Sequence, residues 1–105
     1  PKIEVSSTSV KQIVDLSLVS VIIGTRVTIL PGAPLVITCR AFAIPKPTIS
    51  WLRKGKKITS SERFSINSTT LVIHLTQRDD SGSFTCLAQN TIGKDSASSM
   101  LDFIG

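Results

Sequence analysis

The sequence predicts an all-β domain built as a two-sheet sandwich, and three observations carry that prediction. Short apolar segments recur along most of the chain, each bounded by turn signals rich in Gly, Pro, Asn or Ser, which is the pattern of a sandwich or a barrel. No segment holds a helical period, and there is no internal repeat. Cys39, Trp51 and Cys86 then fall in that order on three of the segments. That order selects the sandwich, whose core packs an indole on cysteines from two sheets. A chain of 105 residues suits one domain with one core, and 41% hydrophobic against 18% charged residues is a globular balance. Aromatics make up only 5% and tyrosine is absent, so the core must be built from Ile, Val and Leu, which favour strands.

Taken in order, residues 1–18 read as a Ser-rich linker or irregular N-terminal segment, and 19–105 as the domain proper. Within the first part, VKQIVDLSL (10–18) fits a short strand or a helical turn. SVIIGTRVTIL (20–30) is β-branched and broken by Gly24, which predicts two short strands with a kink between them. PGAP (31–34) is a turn. PLVITCRAF (34–42) alternates, with Leu35, Ile37 and Cys39 on one face. IPKP (44–47) is a loop, and TISWLRKGKKI (48–58) is a hairpin that turns at Lys54-Gly55-Lys56. RFSIN (63–67) and TTLVIHL (69–75) are strands with a polar link. GSFTCLAQN (82–90) puts Phe84 and Cys86 on one face, TIG (91–93) is a turn, and SASSMLDFI (96–104) is the last strand.

Catalytic and metal chemistry find little to work with. The single histidine, His74, lies mid-strand beside Ile73 and Leu75, where a solvent-facing role suits it and no Ser–His–acid set can be assembled around it. Asp79 and Asp80 lack the spaced oxygen ligands of a calcium loop. The two cysteines are too far apart for a CxxC redox or zinc motif. The sequence therefore predicts no enzyme, no cofactor and no metal. No apolar run approaches the ~20 residues of a membrane helix, so no membrane insertion by this segment is expected. The opening PKIEV, without Met or a leader pattern, reads as a domain from a longer protein.

Several stretches resemble the immunoglobulin fold in its intermediate, I-set form. VTILPGAPLVITC (27–39) is similar to the family's approach to its first cysteine, through Val27, Ile29, Gly32, Leu35, Ile37 and Cys39. AFAIPKPTISW (41–51) is similar to the loop that ends at the family's tryptophan. In LVIHLTQRDDSGSFTCLAQNTIG (71–93), the D-x-G-x-aromatic-x-C motif falls on Asp80, Gly82, Phe84 and Cys86, and N-x-x-G on Asn90 and Gly93. The resemblance spans residues 19–104 and is specific, because separate motifs occur in order. Within the family the overall impression is of the Ig modules of secreted ADAMTS-like matrix glycoproteins, which have no chemistry of their own.

The resemblance implies a Greek-key sandwich of two antiparallel sheets. It also implies one inter-sheet disulfide between Cys39 and Cys86, Trp51 and Phe84 in the core, and Arg63 paired with Asp80. There are departures. Ala43 stands where the family usually has Gly, so that position should not need φ > 0. Phe84 stands where the family usually has Tyr, which keeps the ring and loses the hydroxyl that closes the tyrosine corner. The residues alone leave the cysteines open. Free thiols would suit a cytosolic, titin- or obscurin-type muscle repeat, whereas a disulfide needs an oxidising compartment and would contribute on the order of 4 kcal/mol. Asn67-Ser68-Thr69 is an N-glycosylation acceptor in a polar link. With the cysteine pair it favours an extracellular location, either secreted matrix or a cell-surface ectodomain.

The charge points to a partner. The net charge is +5, yet Arg40, Lys46, Arg53, Lys54, Lys56, Lys57 and Arg63 fall in one stretch with a single acid, Glu62. The excess is therefore local, and local patches steer anionic partners. Lys46, Arg53, Lys54, Lys56 and Lys57 are candidate polyanion-binding residues. Flexible cations at a hairpin tip suit a heparin-like polysaccharide, while nucleic acid would call for an aromatic stacking platform that is missing here. Protein partners or matrix components would meet loop ends or sheet faces. RFSIN with TTLVIHL offers one surface, and IPKP with NTIG another.

Overall fold

A computed structural model of the protein describes residues 1–12 and 15–104. Among these residues twelve strands run in chain order: β1 (Lys2–Ile3), β2 (Ser9–Gln12), β3 (Val19–Ile22), β4 (Arg26–Ile29), β5 (Leu35–Thr38), β6 (Ala41–Phe42), β7 (Thr48–Arg53), β8 (Lys56–Lys57), β9 (Phe64–Asn67), β10 (Thr70–Ile73), β11 (Gly82–Gln89) and β12 (Lys94–Phe103). One 3-10 turn, Arg78–Asp80, precedes β11. The larger sheet has the order β2-β4-β12-β11-β7-β8, the smaller β3-β5-β10-β9, and β1 pairs with β6. From β5 onward the chain passes between the two sheets, β5 to β7, back to β9 and β10, then to β11 and β12, which makes the sandwich.

Alternation explains which faces meet. Buried side chains occupy every second position: Val27 and Ile29 on β4, Leu35 and Ile37 on β5 followed by Cys39, Leu71 and Ile73 on β10, and Phe84, Cys86 and Ala88 on β11. A period of two puts each set on one face of a strand. With few aromatics available, β-branched and leucine side chains fill the space around Trp51, Phe64 and Phe84.

The body of both sheets is antiparallel: β11 with β12 and β7, β10 with β5 and β9, β7 with β8. Three ladders are parallel, β2 with β4, β4 with β12, and β3 with β5. All three involve strands from the N-terminal part of the chain, of which β2 and β3 lie at sheet edges.

The segment read as a linker carries β1 and β2. Ile3 is buried. Glu4 N–H donates to Arg40 O at 2.8 Å, Ser6 N–H to Ile23 O at 2.8 Å, and Arg26 N–H to Thr8 O at 3.0 Å. Its Ser-rich composition hides this, since strands this short are held by backbone bonds rather than by an apolar stripe. Ile13 and Val14, within the stretch read as strand or helical turn, and Gly105 lie outside the described residues.

Gly24 sits between β3 and β4 with φ of +100°, and a β-carbon there would stand 2.2 Å from Ser6 O. Gly24→Ala should therefore lower stability by roughly 1–3 kcal/mol and loosen residues 1–12. Urea unfolding and amide exchange of Ser6 check this, and unchanged exchange would contradict the docked N-terminal segment. Phe84 is fully buried. Phe84→Tyr returns a phenol hydroxyl to the corner, and urea unfolding should show it neutral or stabilised by up to about 1 kcal/mol. A loss well beyond that size would count against reading this stretch as a corner.

Candidate polyanion-binding surface

The bridge comes first, because it fixes everything around it. Cys39, just past β5, and Cys86, on β11, are joined as a disulfide with Cα atoms 6.4 Å apart. The bond ties the smaller sheet to the larger. Trp51 on β7 lies directly opposite Cys86 in register and is fully buried, which places the indole beside the bridge.

Asp80 organises the end of the sandwich from which the β7–β8 hairpin projects. Its side chain has no exposed surface. Arg63 Nη2 donates to Asp80 Oδ2 at 2.5 Å, and Gln77 N–H donates to the same oxygen at 2.8 Å. Arg53 Nη2 lies 3.4 Å from Oδ1, but Oδ1 makes no hydrogen bond, so the Arg53 link is a charge contact. The same guanidinium donates to Asp79 O. Both arginines also lie over the Phe64 ring, with centroid distances of 6.0 Å for Arg53 and 5.0 Å for Arg63, within cation–π reach.

The hairpin grows from this base. Arg53 pairs with Lys56 and Leu52 with Lys57, leaving Lys54-Gly55 as a two-residue turn. Lys54 has φ of 51° and Gly55 φ of 82°, the left-handed pair that a twisted two-residue hairpin turn requires. Lys54, Lys56 and Lys57 are exposed, and none of them is within salt-bridge distance of a carboxylate among the described residues. The stem of Lys54 lies over Gly82, with Cε 3.1 Å from where a β-carbon would sit. Beside the hairpin an open groove of about 480 Å³ is lined by these lysines together with Arg53, Ile58, Thr59, Ser61 and Phe64.

The five candidate cations thus divide. Lys54, Lys56 and Lys57 converge on the hairpin. Arg53 turns inward to Asp79 and Asp80. Lys46 precedes β7, at its other end, and Arg40 lines a hollow with Ser6, Thr8 and Thr25. Asn67 closes β9 at the β9–β10 turn and is exposed. His74 is exposed and meets Ser65 Oγ at 2.6 Å. No group of three or more His, Cys, Asp or Glu side chains among the described residues could hold a metal ion. Among those residues, too, no helix is long and apolar enough to cross a membrane.

With the bridge, the indole and the two-sheet order in place, the chain matches the immunoglobulin I-set domain family over residues 19–103. It belongs to the I-set family. Human hemicentin-1 is 39% identical over 77 residues, covering 70% of this chain and 1% of that protein. Human matrix-remodeling-associated protein 5 is 40% identical over 67 residues, 61% of this chain and 2% of that one. Chicken neuronal cell adhesion molecule is 37% identical over 68 residues, 63% of this chain and 5% of that one. The chain therefore spans only a few per cent of these relatives. Among solved structures, neural ectodermal development factor IMP-L2 superposes with a TM-score of 0.68 at 30% identity, covering 73% of this chain and 39% of that one. A chimeric titin Z1Z2 gives 0.69 at 26% identity, covering 76% and 87%. I-set domains of this kind occur in matrix, adhesion and titin-type proteins.

Two features of this I-set domain escape a reading of the sequence alone. Phe64 as a shared platform for two guanidiniums depends on pairing across β9 and β10, and Arg53 looks like one more hairpin cation until Asp80 is seen behind it. Removing one partner of a buried charge costs up to about 3–5 kcal/mol, and the one-third exposure of Arg63 reduces that through solvent screening. Asp80→Ala and Arg63→Ala should each be strongly destabilising, and their double mutant should lose much less than the sum. Additive losses in denaturant unfolding would show that the two side chains do not act together.

Proposed function

We propose that this domain is a non-catalytic interaction and spacer module of a multidomain extracellular matrix or cell-surface protein, in the general layout of the ADAMTS-like glycoproteins. We further propose that it binds sulfated polysaccharide through the β7–β8 hairpin. The observation that carries the ligand class is the hairpin itself: three exposed lysines, none within salt-bridge distance of a carboxylate among the described residues, on a two-residue turn, next to a groove with hydroxyl and aromatic lining. Such cations match charge density along a polyanion without reading any sequence. The disulfide and the matrix and adhesion relatives support the extracellular setting, and Asn67 would carry a glycan there. A muscle-type repeat is the competing reading, favoured by the likeness to titin structures.

Heparin chromatography tests the ligand. The domain should elute at higher salt from heparin than from an ordinary cation exchanger, and Lys54→Glu/Lys56→Glu should remove the difference. Equal elution from both resins, or a variant that behaves as the parent, would overturn the hairpin as a polyanion site. Mass and thiol titration of protein from a secretory host test the setting. No free thiol and a glycan that Asn67→Gln abolishes are expected; two titrating thiols and a bare Asn67 would favour the muscle-type reading.

A further inference from the structure

Three lysines outside the hairpin form a second cluster, and the backbone explains why. Pairing of β1 with β6 sets Lys2 opposite Phe42, and Glu4 N–H donates to Arg40 O at 2.8 Å. Ile3 N–H donates to Asp95 Oδ2 at 2.9 Å, which ties this strand to the start of β12, where Lys94 sits. Asn90 Nδ2 donates to Pro45 O at 2.9 Å, which ties the loop of Lys46 to the turn before β12. Asn90 Oδ1 accepts from Ile92 N at 2.9 Å and Gly93 N at 3.1 Å, fixing that turn. Lys2, Lys46 and Lys94 thus share one end of the sandwich and are exposed, whereas Arg40 lines a separate hollow with Ser6, Thr8 and Thr25. The acids there are Glu4, which is exposed, and Asp95, whose carboxylate is occupied by Ile3 N–H and Ser96 N–H.

The surface between these cations is shaped as well as charged. Phe42, Ile44 and Ile92 are 64%, 91% and 77% exposed, offering apolar side chains to the C–H faces of sugar rings. Beside them a hollow of about 510 Å³ is lined by Pro45, Lys46, Thr48, Gln89, Asn90 and Thr91, so the Gln89 amide and the Thr48 and Thr91 hydroxyls can meet sugar hydroxyls and sulfates while Lys46 meets the charge. β7 separates this end from the hairpin. The six residues of β7 alone span about 20 Å at ~3.3 Å each. That is well beyond a Debye length of about 8 Å at physiological ionic strength, so the two clusters are electrostatically independent.

We propose that the domain carries two sulfated-polysaccharide sites at opposite ends, the hairpin site and a loop-end site of Lys2, Lys46 and Lys94, and thereby joins two polysaccharide chains. This rests on the hairpin reading above. A linker domain with a polyanion site at each end crosslinks; one with a single site only anchors.

Calorimetry with a heparin tetrasaccharide, too short to reach both ends, tests it. Two molecules should bind each domain. Lys54→Glu/Lys56→Glu should leave one, and Lys2→Glu/Lys46→Glu/Lys94→Glu should leave the other, with near-UV dichroism of Trp51 unchanged in both. With full-length heparin the parent should give light-scattering networks, and neither variant should. A single bound tetrasaccharide that the hairpin variant abolishes overturns the second site and leaves the first standing. No binding to the parent overturns both, and full two-site binding by the loop-end variant overturns the assignment of its residues.

Discussion

A carboxylate with no exposed surface holds one end of this domain together. Asp80 closes the 3-10 turn before β11, receives Arg63 from the start of β9, and faces Arg53 from the end of β7. Three separate pieces of chain converge on one side chain, and Phe64 lies under both arginines. A buried charge is tolerated only with its partners in place. Each strand end that supplies a partner is therefore fixed relative to the others. The arginines are themselves about one-third exposed, so solvent screens part of the attraction. The contribution of the cluster is mainly geometric.

That geometry has a consequence for the surface. With Arg53 drawn toward Asp80 and Asp79, the next residues are forced into a tight turn, and Lys54, Lys56 and Lys57 project from a fixed base. The disulfide and Trp51 do the same for the opposite side of the core, by locking β5 to β11 and β11 to β7. A cation on a fixed base loses less freedom on binding than one on a mobile loop. An ordinary I-set scaffold can in this way present charge without any catalytic group.

Most of the sandwich could be read from the chain because alternation is a local signal. Leu35, Ile37 and Cys39, or Phe84 and Cys86, declare their shared face within five residues. The N-terminal strands could not be read so. β1 has two residues and β2 four, and their pairing is with distant β6 and β4 through backbone groups that every sequence carries. The parallel ladders were hidden for the same reason. The charge pattern was only half legible. Sequence proximity grouped Lys46 with the hairpin, whereas an intervening strand puts them at opposite ends. Arg53 and Lys54 are neighbours in sequence, yet Arg53 ends β7 beside the buried acid while Lys54 opens the turn and is exposed to solvent.

Asp80 anchors the hairpin base, and amide hydrogen exchange on Asp80→Asn measures that directly. The Ile58 amide, bonded to Trp51 O, and the Lys54 amide, bonded to Ser83 O, should lose protection together. Amides around Cys39, Cys86 and Leu71 should keep theirs, because the bridge and the indole remain. Uniform loss across the domain, or no local loss at the hairpin, would contradict the view that this one carboxylate sets where the lysines stand.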